Sequence, residues 1–226
     1  MIWCQTLRGR AFDLIHPKPE MVDFAEIADQ LSTLHRYAGA AEKPVSVALH
    51  TLIACDAAEE FASRSGVRQP LDAASLKAHI LLHDAHEAFI GDIVTPAAHA
   101  IHEIIRLRAG HKDAENFSDA LAALKGNIDA AIFAAAGLMP PTPMQAQAVK
   151  FADLKALVTE RRDFLAKPPR PWADAIEAIA PMPKKYRLRP APDVAAELLG
   201  RFKTYLPALR HGPASAGRLS SPGTAA

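Results

Sequence analysis

At 226 residues and a net charge of +1, the chain is long enough for one domain with a sizeable core, and its charge gives no electrostatic case for nucleic-acid or membrane partners. Half of the residues are hydrophobic and only 6% are aromatic, a balance that favours packed helices over sheets. Cys4 and Cys55 are too few for a disulfide framework, no signal pattern opens the chain, and no apolar run approaches about 18 residues, so a reduced cytoplasmic protein is expected.

Met1 to Pro19 reads as an irregular or extended arm, broken by Gly9, Pro17 and Pro19, with Ile2-Trp3 and Phe12 to Ile15 packed on the domain. Asp23 to Tyr37 reads as a helix. Asp23 is the N-cap, Glu26 completes a capping box, Phe24, Ile27, Leu31 and Leu34 form the apolar stripe, and Gly39 ends it. Pro44 starts a second helix that carries His50 and stops at Gly66. Pro70 and Asp72 open a central helix that ends near Ile90, ahead of Gly91.

Thr95 to Arg108 is helical, Gly110 and Asn116 mark a break, and Asp119 to Ala136 is helical again apart from Gly126. A rigid loop from Gly137 to Pro143 leads into a long helix, Met144 to Leu165, that carries Asp153. Trp172 to Ile179 and Ala191 to Tyr205 are expected as outer helices. Residues 1–206 form a single domain on this reading, and 207–226, rich in Gly, Ser, Pro and Ala without periodicity, a disordered tail.

The chemistry concentrates in Leu81-Leu82-His83-Asp84-Ala85-His86-Glu87-Ala88-Phe89-Ile90-Gly91-Asp92. On a helix His83 and Glu87 share a face, and the adjacent His83 and Asp84 can still reach one ion where the helix meets its neighbours. Imidazole nitrogen with carboxylate oxygen suits a borderline divalent metal. Two residues cannot close a coordination shell, and His50 and Asp153, each inside an apolar helical run, are the further candidates. A carboxylate flanked by Phe151, Ala152 and Leu154 must be paired or metal-bound; a salt bridge to Lys150 or Arg161 is the ordinary alternative.

The order His50, His83-Asp84, Asp153 resembles the HD-domain metal-dependent phosphohydrolases. Asp84-Ala-His-Glu87-Ala-Phe-Ile-Gly-Asp92-Ile-Val-Thr95-Pro96 resembles the matching stretch of their bacterial 5'-deoxynucleotidase branch. So do Leu34-His-Arg36-Tyr37-Ala-Gly39 and the run from Val149 through Asp153 to Asp163-Phe164. The resemblance implies an all-α fold, an irregular bundle around one metal ion. It implies His50, His83, Asp84 and Asp153 as ligands of Co, Mn, Ni, Fe or Zn, and Glu87 and Asp92 as the acid–base carboxylates. Arg36 is implied as a phosphate clamp, with Tyr37 against the sugar.

The activity it implies is hydrolysis of a deoxynucleoside 5'-monophosphate, in a protein that binds a small-molecule nucleotide and admits a homodimer. Release of triphosphate from deoxynucleoside triphosphates, or nucleotide binding at a vestigial site, are the competing readings. The chain departs from the branch at Ala40, Leu49, Ala98 and around Gly126-Asn127, which removes polar groups near the phosphate site and leaves the ligand set whole.

Among the other histidines, His79 stands four residues before His83, at a spacing that can bind zinc, and a role beside the ligands or at the surface is expected. His86 is expected at the site mouth or in solvent, and His99, His102 and His111 in solvent. Arg161-Arg162-Asp163 is either a plain charged face or, as the resemblance implies, structural or close to substrate.

Overall fold

The computed structural model describes residues 2–64 and 73–210. A hairpin of two short antiparallel strands, β1 (Trp3–Gln5) and β2 (Ala11–Asp13), opens the chain. The helices are α1 (Phe24–Thr33), α2 (Val47–Arg64), α3 (Ala73–Leu82), α4 (Glu87–Ile90), α5 (Thr95–Ala109), α6 (His111–Ala136), α7 (Pro143–Phe164), α8 (Asp174–Glu177), α9 (Ala191–Tyr205) and α10 (Pro207–Arg210). The fold is therefore all-α, as composition indicates. No helix among the described residues is long and apolar enough to cross a membrane.

The centre is α2. From Val47 to Cys55 every residue is buried, so this helix has no solvent face over its first turns and is wrapped by neighbours, α7 and α3 foremost. Helix α1 lies against α9, with Phe24 and Phe202 edge to face at 5.7 Å, and α5 pairs with α6.

Several local expectations are corrected. The N-terminal arm is extended, as one expected alternative has it, but it pairs on itself as a hairpin in the register Trp3 with Asp13, Cys4 with Phe12 and Gln5 with Ala11. Phe12 anchors it, fully buried and stacked on Phe89 at 3.7 Å, while Ile2, Trp3 and Ile15 are exposed. Burying one such ring is worth about 1.5–3 kcal/mol, enough to hold a short hairpin that is marginal alone.

Asp23 does cap α1, accepting from the Ala25 and Glu26 amides at 2.9 and 3.2 Å. Glu26 does not close the box, because its carboxylate is taken by Arg10 and the Arg8 amide. The helix stops at Thr33 rather than Tyr37, because Leu34 to Arg36 turn extended: His35 bridges Ser46, and Arg36 N–H donates to the Val45 carbonyl at 3.0 Å.

Helix α2 starts at Val47, with the Ser46 hydroxyl accepting from the Leu49 amide at 3.2 Å, and not at Pro44. Helix α6 runs unbroken through Asn116 and Gly126; only Gly110, at φ 101°, separates it from α5. A single Gly or Asn costs a helix interior up to about 1 kcal/mol, which the packed faces of a long helix outweigh.

The outer helix expected over Trp172 to Ile179 shortens to α8, while α9 matches its expected span. Leu206 is fully buried and α10 packs beside Gly137, so the ordered domain extends past residue 206. The expected stop at Gly66, the opening at Pro70 and Asp72, and the expected tail from residue 211 lie outside the described residues.

The central helix is also corrected, and this one shapes the site. It ends at Leu82, and residues 83–86 form a tight turn before α4. Ala85 N–H donates to Leu82, Glu87 to Asp84 and Phe89 to His86, each three residues back, at 3.0–3.1 Å. In that geometry residues i and i+3 eclipse, so Glu87 stands over Asp84 rather than His83.

Candidate metal centre

Three elements deliver the expected ligand residues to one point. His50 lies in the first turn of α2, His83 and Asp84 in the turn after α3, and Asp153 midway along α7. His50 Nε2 is 3.2 Å from His83 Nε2, 3.3 Å from Asp153 Oδ1 and 3.6 Å from Asp84 Oδ2. His83 Nε2 is 3.1 Å from Asp84 Oδ2. Ligand atoms on a four- to six-coordinate ion with bonds near 2.1 Å sit about 3.0–3.4 Å apart, and the observed separations are close to that range. His50, His83 and Asp84 form the tight group, with one ligand atom of each within 4.8 Å of the others. Asp153 joins through His50, and its other oxygen accepts from Lys150 at 3.1 Å. Lys150 is therefore a partner of Asp153 alongside His50, and Arg161 is not, being held by Glu177.

The tautomers follow from the outward nitrogens. His83 Nδ1 is 2.7 Å from the Ile80 carbonyl and can only donate to it. His50 Nδ1 donates to Glu160 Oε1 at 2.7 Å, deep in the core, where both side chains are fully buried. Both Nε2 atoms then turn lone pairs toward each other and toward two carboxylates. Such an all-acceptor cluster needs a proton or a cation between its members. A divalent cation fits the donor set.

Glu160 escaped the sequence reading as a functional residue. It lies seven residues after Asp153, on the same face of α7, and that spacing was the available signal. Its carboxylate accepts from His50 and, at 2.5 Å, from the Tyr37 hydroxyl, and it faces Arg36 Nε at 3.3 Å. A carboxylate behind a ligating imidazole fixes the ring and its tautomer.

Arg36 and Tyr37 do reach the site, on a strained loop. Tyr37 and Ala38 hold φ of 62° and 51°, costing about 1–3 kcal/mol each, and Asp92 Oδ2 secures the first by accepting the Tyr37 amide at 3.1 Å. Arg36 Nη1 donates to Asp84 Oδ2 at 3.3 Å, so the guanidinium is already a counter-ion to Asp84 and Glu160.

No family model matches the chain. An uncharacterised protein of Rhodobacter capsulatus is 29% identical over 217 residues, covering 92% of this chain and 97% of that one. The likeness is nearly end to end, and it carries no activity with it.

The remaining histidines separate cleanly. His79 is buried between the Ser75 and Met139 carbonyls at 2.8 and 3.0 Å and ties α3 to the loop after α6, a structural place rather than one beside the ligands. His86 is neither at a mouth nor in solvent: it is 5% exposed and bonded to Asp129 of α6 at 3.0 Å. Among the described residues His102 and His111 contact Ser118 and Glu115 at the surface. Arg162 clasps Asp163 and the Met182 and Lys184 carbonyls, which makes that run a structural brace.

Electrostatics sharpen the picture. Burial and Arg36 oppose charge on His50, but Glu160 and Asp153 outweigh them and lift its pKa to about 9. Despite burial, His50 and His83 hold Asp153 well below the ordinary carboxylate range. Glu87 goes the other way: burial first, then Asp84 and Asp92, push it up to about 8.

A metal ion entering this group would displace a proton held at His50. Apparent affinity for manganese is expected to rise as the pH is raised from about 6 to about 9, with proton release on binding. Calorimetry in two buffers of different ionisation enthalpy measures that release; an affinity flat across the range would contradict it. The same shift acts on the metal-free fold: the stability from protonated His50 is complete below its unfolded pKa, about 6.5, and is lost as pH rises through 9.

Proposed function

We propose that the protein is a metal-dependent phosphohydrolase acting on nucleotides, with deoxynucleoside 5'-monophosphates as substrates and the deoxynucleoside and phosphate as products. The observation that carries the reading is the all-acceptor group of His50, His83, Asp84 and Asp153, beside a buried carboxyl, Glu87, held neutral near pH 7. The likeness of the ordered ligand residues to the HD-domain phosphohydrolases supports it. The substrate class rests on that resemblance alone.

His50, His83, Asp84 and Asp153 would hold the ion. A bound divalent ion supplies Lewis acidity, lowering the pKa of a water and neutralising phosphoryl charge. The protein's own residues do the rest. Glu160 fixes the His50 ring. Glu87, protonated at neutral pH, can give its proton to the leaving oxygen and regain one from the attacking water within the same turnover. Asp92 holds the Tyr37 loop in its strained form. Arg36 has donors beyond those spent on Asp84 and Glu160, and a phosphate oxygen is their natural partner.

Turnover of a panel of nucleotides with added Mn or Co, with phosphate and triphosphate both measured, tests the proposal. Phosphate from deoxynucleoside monophosphates is expected. Triphosphate would reassign the substrate, and no turnover with metal bound would make the protein a binding module.

Tyr37 provides a finer check. If its ring crowds the ribose 2' position, Tyr37→Ala raises activity on ribonucleotides relative to deoxynucleotides. Tyr37→Phe keeps the ring and loses only the bond to Glu160, so its ratio stays at the wild-type value. An unchanged ratio in Tyr37→Ala would remove the ring from discrimination.

A further inference from the structure

Beside the first group lies a second. Asp84, His86 and Glu87 each bring a ligand atom within 4.8 Å of the other two. Among the described residues His86 Nε2 and Glu87 Oε2, both buried, have no hydrogen-bond partner, on side chains that are 5% and 6% exposed overall. A buried polar atom left unmatched costs about 1–3 kcal/mol, and two of them in one group call for a shared partner. The ring nitrogen on the other side, His86 Nδ1, is 3.0 Å from Asp129 Oδ1, the same carboxylate-to-imidazole support that Glu160 gives His50. In that bond Nδ1 keeps its proton and donates to Asp129 Oδ1, which leaves a lone pair at Nε2.

A buried His86–Asp129 ion pair is the plainer account. It explains Nδ1 and leaves both Nε2 and Glu87 Oε2 unmatched.

We propose that Asp84, His86 and Glu87 form a second divalent-cation subsite, with the two oxygens of Asp84 shared between it and the first. One imidazole with two carboxylates suits Mn, Fe or Zn. Bonds near 2.1 Å span ligand atoms up to about 4.2 Å apart, so a separation of 4.8 Å closes with a small inward rotation of Glu87. The tight turn builds this subsite: bonds three residues apart stack Glu87 on Asp84, and an uninterrupted helix would swing it toward His83. The subsite stands on this geometry and not on the hydrolase reading; Glu87 is ionised when it holds the second ion, so its proton-donor role belongs to the protein carrying the first ion alone. Arg36, already on Asp84, opposes a second positive charge, so the second ion binds more weakly than the first.

The experiment is metal counting on the full chain with manganese alone, by equilibrium dialysis and electron paramagnetic resonance. The wild-type protein is expected to take two ions per chain at saturation, with the isolated-ion spectrum of the first giving way to a spin-coupled pair. His86→Ala should take one ion and keep the isolated-ion spectrum. Asp129→Asn, milder for folding, should weaken the second ion about 10–100-fold and leave the first. Asp153→Ala should lose the tight ion and keep the weak one. A single wild-type ion that Asp153→Ala abolishes and His86→Ala spares overturns the second subsite while upholding the first. A single ion lost in His86→Ala and kept in Asp153→Ala does the reverse.

Discussion

Asp153→Ala protein is expected to lose its tightly bound metal ion and, with it, at least about 10³-fold in turnover, the several kcal/mol that a Lewis-acid ion contributes to such chemistry. Of the two carboxylates that α7 brings to the centre, Asp153 is the one that touches His50 Nε2, at 3.3 Å, while Glu160 holds Nδ1 on the far side of the ring. Removing Asp153 leaves two imidazoles and Asp84, whose charge Arg36 already offsets in part. Three ligands with little net negative charge hold a divalent ion poorly. His83→Ala should have the same consequence through loss of one nitrogen. Elemental analysis against the wild-type protein decides it: full metal content in both variants would mean that the ion is held elsewhere, and the phosphohydrolase reading would lose its foundation.

Legibility in the sequence followed how local each feature is. The cap at Asp23 is written in neighbouring residues, and the starts of α7 and α9 fall at or beside the expected positions. The candidate ligands were legible because His50 and Asp153 are polar residues inside apolar runs, where burial demands a partner. The turn at 83–86 was not, because its residues have ordinary helix propensities. What bends the chain there is bonding three residues back, with the His83 ring nitrogen held on the Ile80 carbonyl.

Glu160 was half legible, from its seven-residue spacing to Asp153. Asp129 had no local signal, since its partner His86 is 43 residues away. The hairpin was hidden because its strands are three residues each and its anchor, Phe12, depends on Phe89 from another part of the chain.

Glu87→Ala is expected to lower kcat by about 10²–10⁴-fold while the tight metal ion stays bound, provided the chemical step limits turnover. The carboxyl is buried above Asp84, with Oε2 unpartnered and its pKa pushed up to about 8 by burial and by Asp84 and Asp92. It is therefore a proton donor at neutral pH, and the sign of the pH dependence follows. In the metal-free centre Glu87 keeps its proton up to about 8. An ion on Asp84 offsets part of the charge that raises it, so in the loaded enzyme activity that needs the protonated form falls on the alkaline side from below that value. The affinity of the centre for its ion rises with pH, and kcat and metal affinity should move in opposite directions there. Glu87→Gln separates charge from size: it keeps the shape and cannot transfer the proton, so it should fall with Glu87→Ala and lose the alkaline limb of the profile. Asp92→Asn tests the neighbouring carboxylate. Because Asp92 accepts the Tyr37 amide at 3.1 Å, its loss should loosen the strained loop and raise KM along with any loss in kcat. A Glu87→Ala enzyme with full kcat and metal bound would take Glu87 out of the mechanism, and one that loses the tight ion would make it a ligand of the first centre.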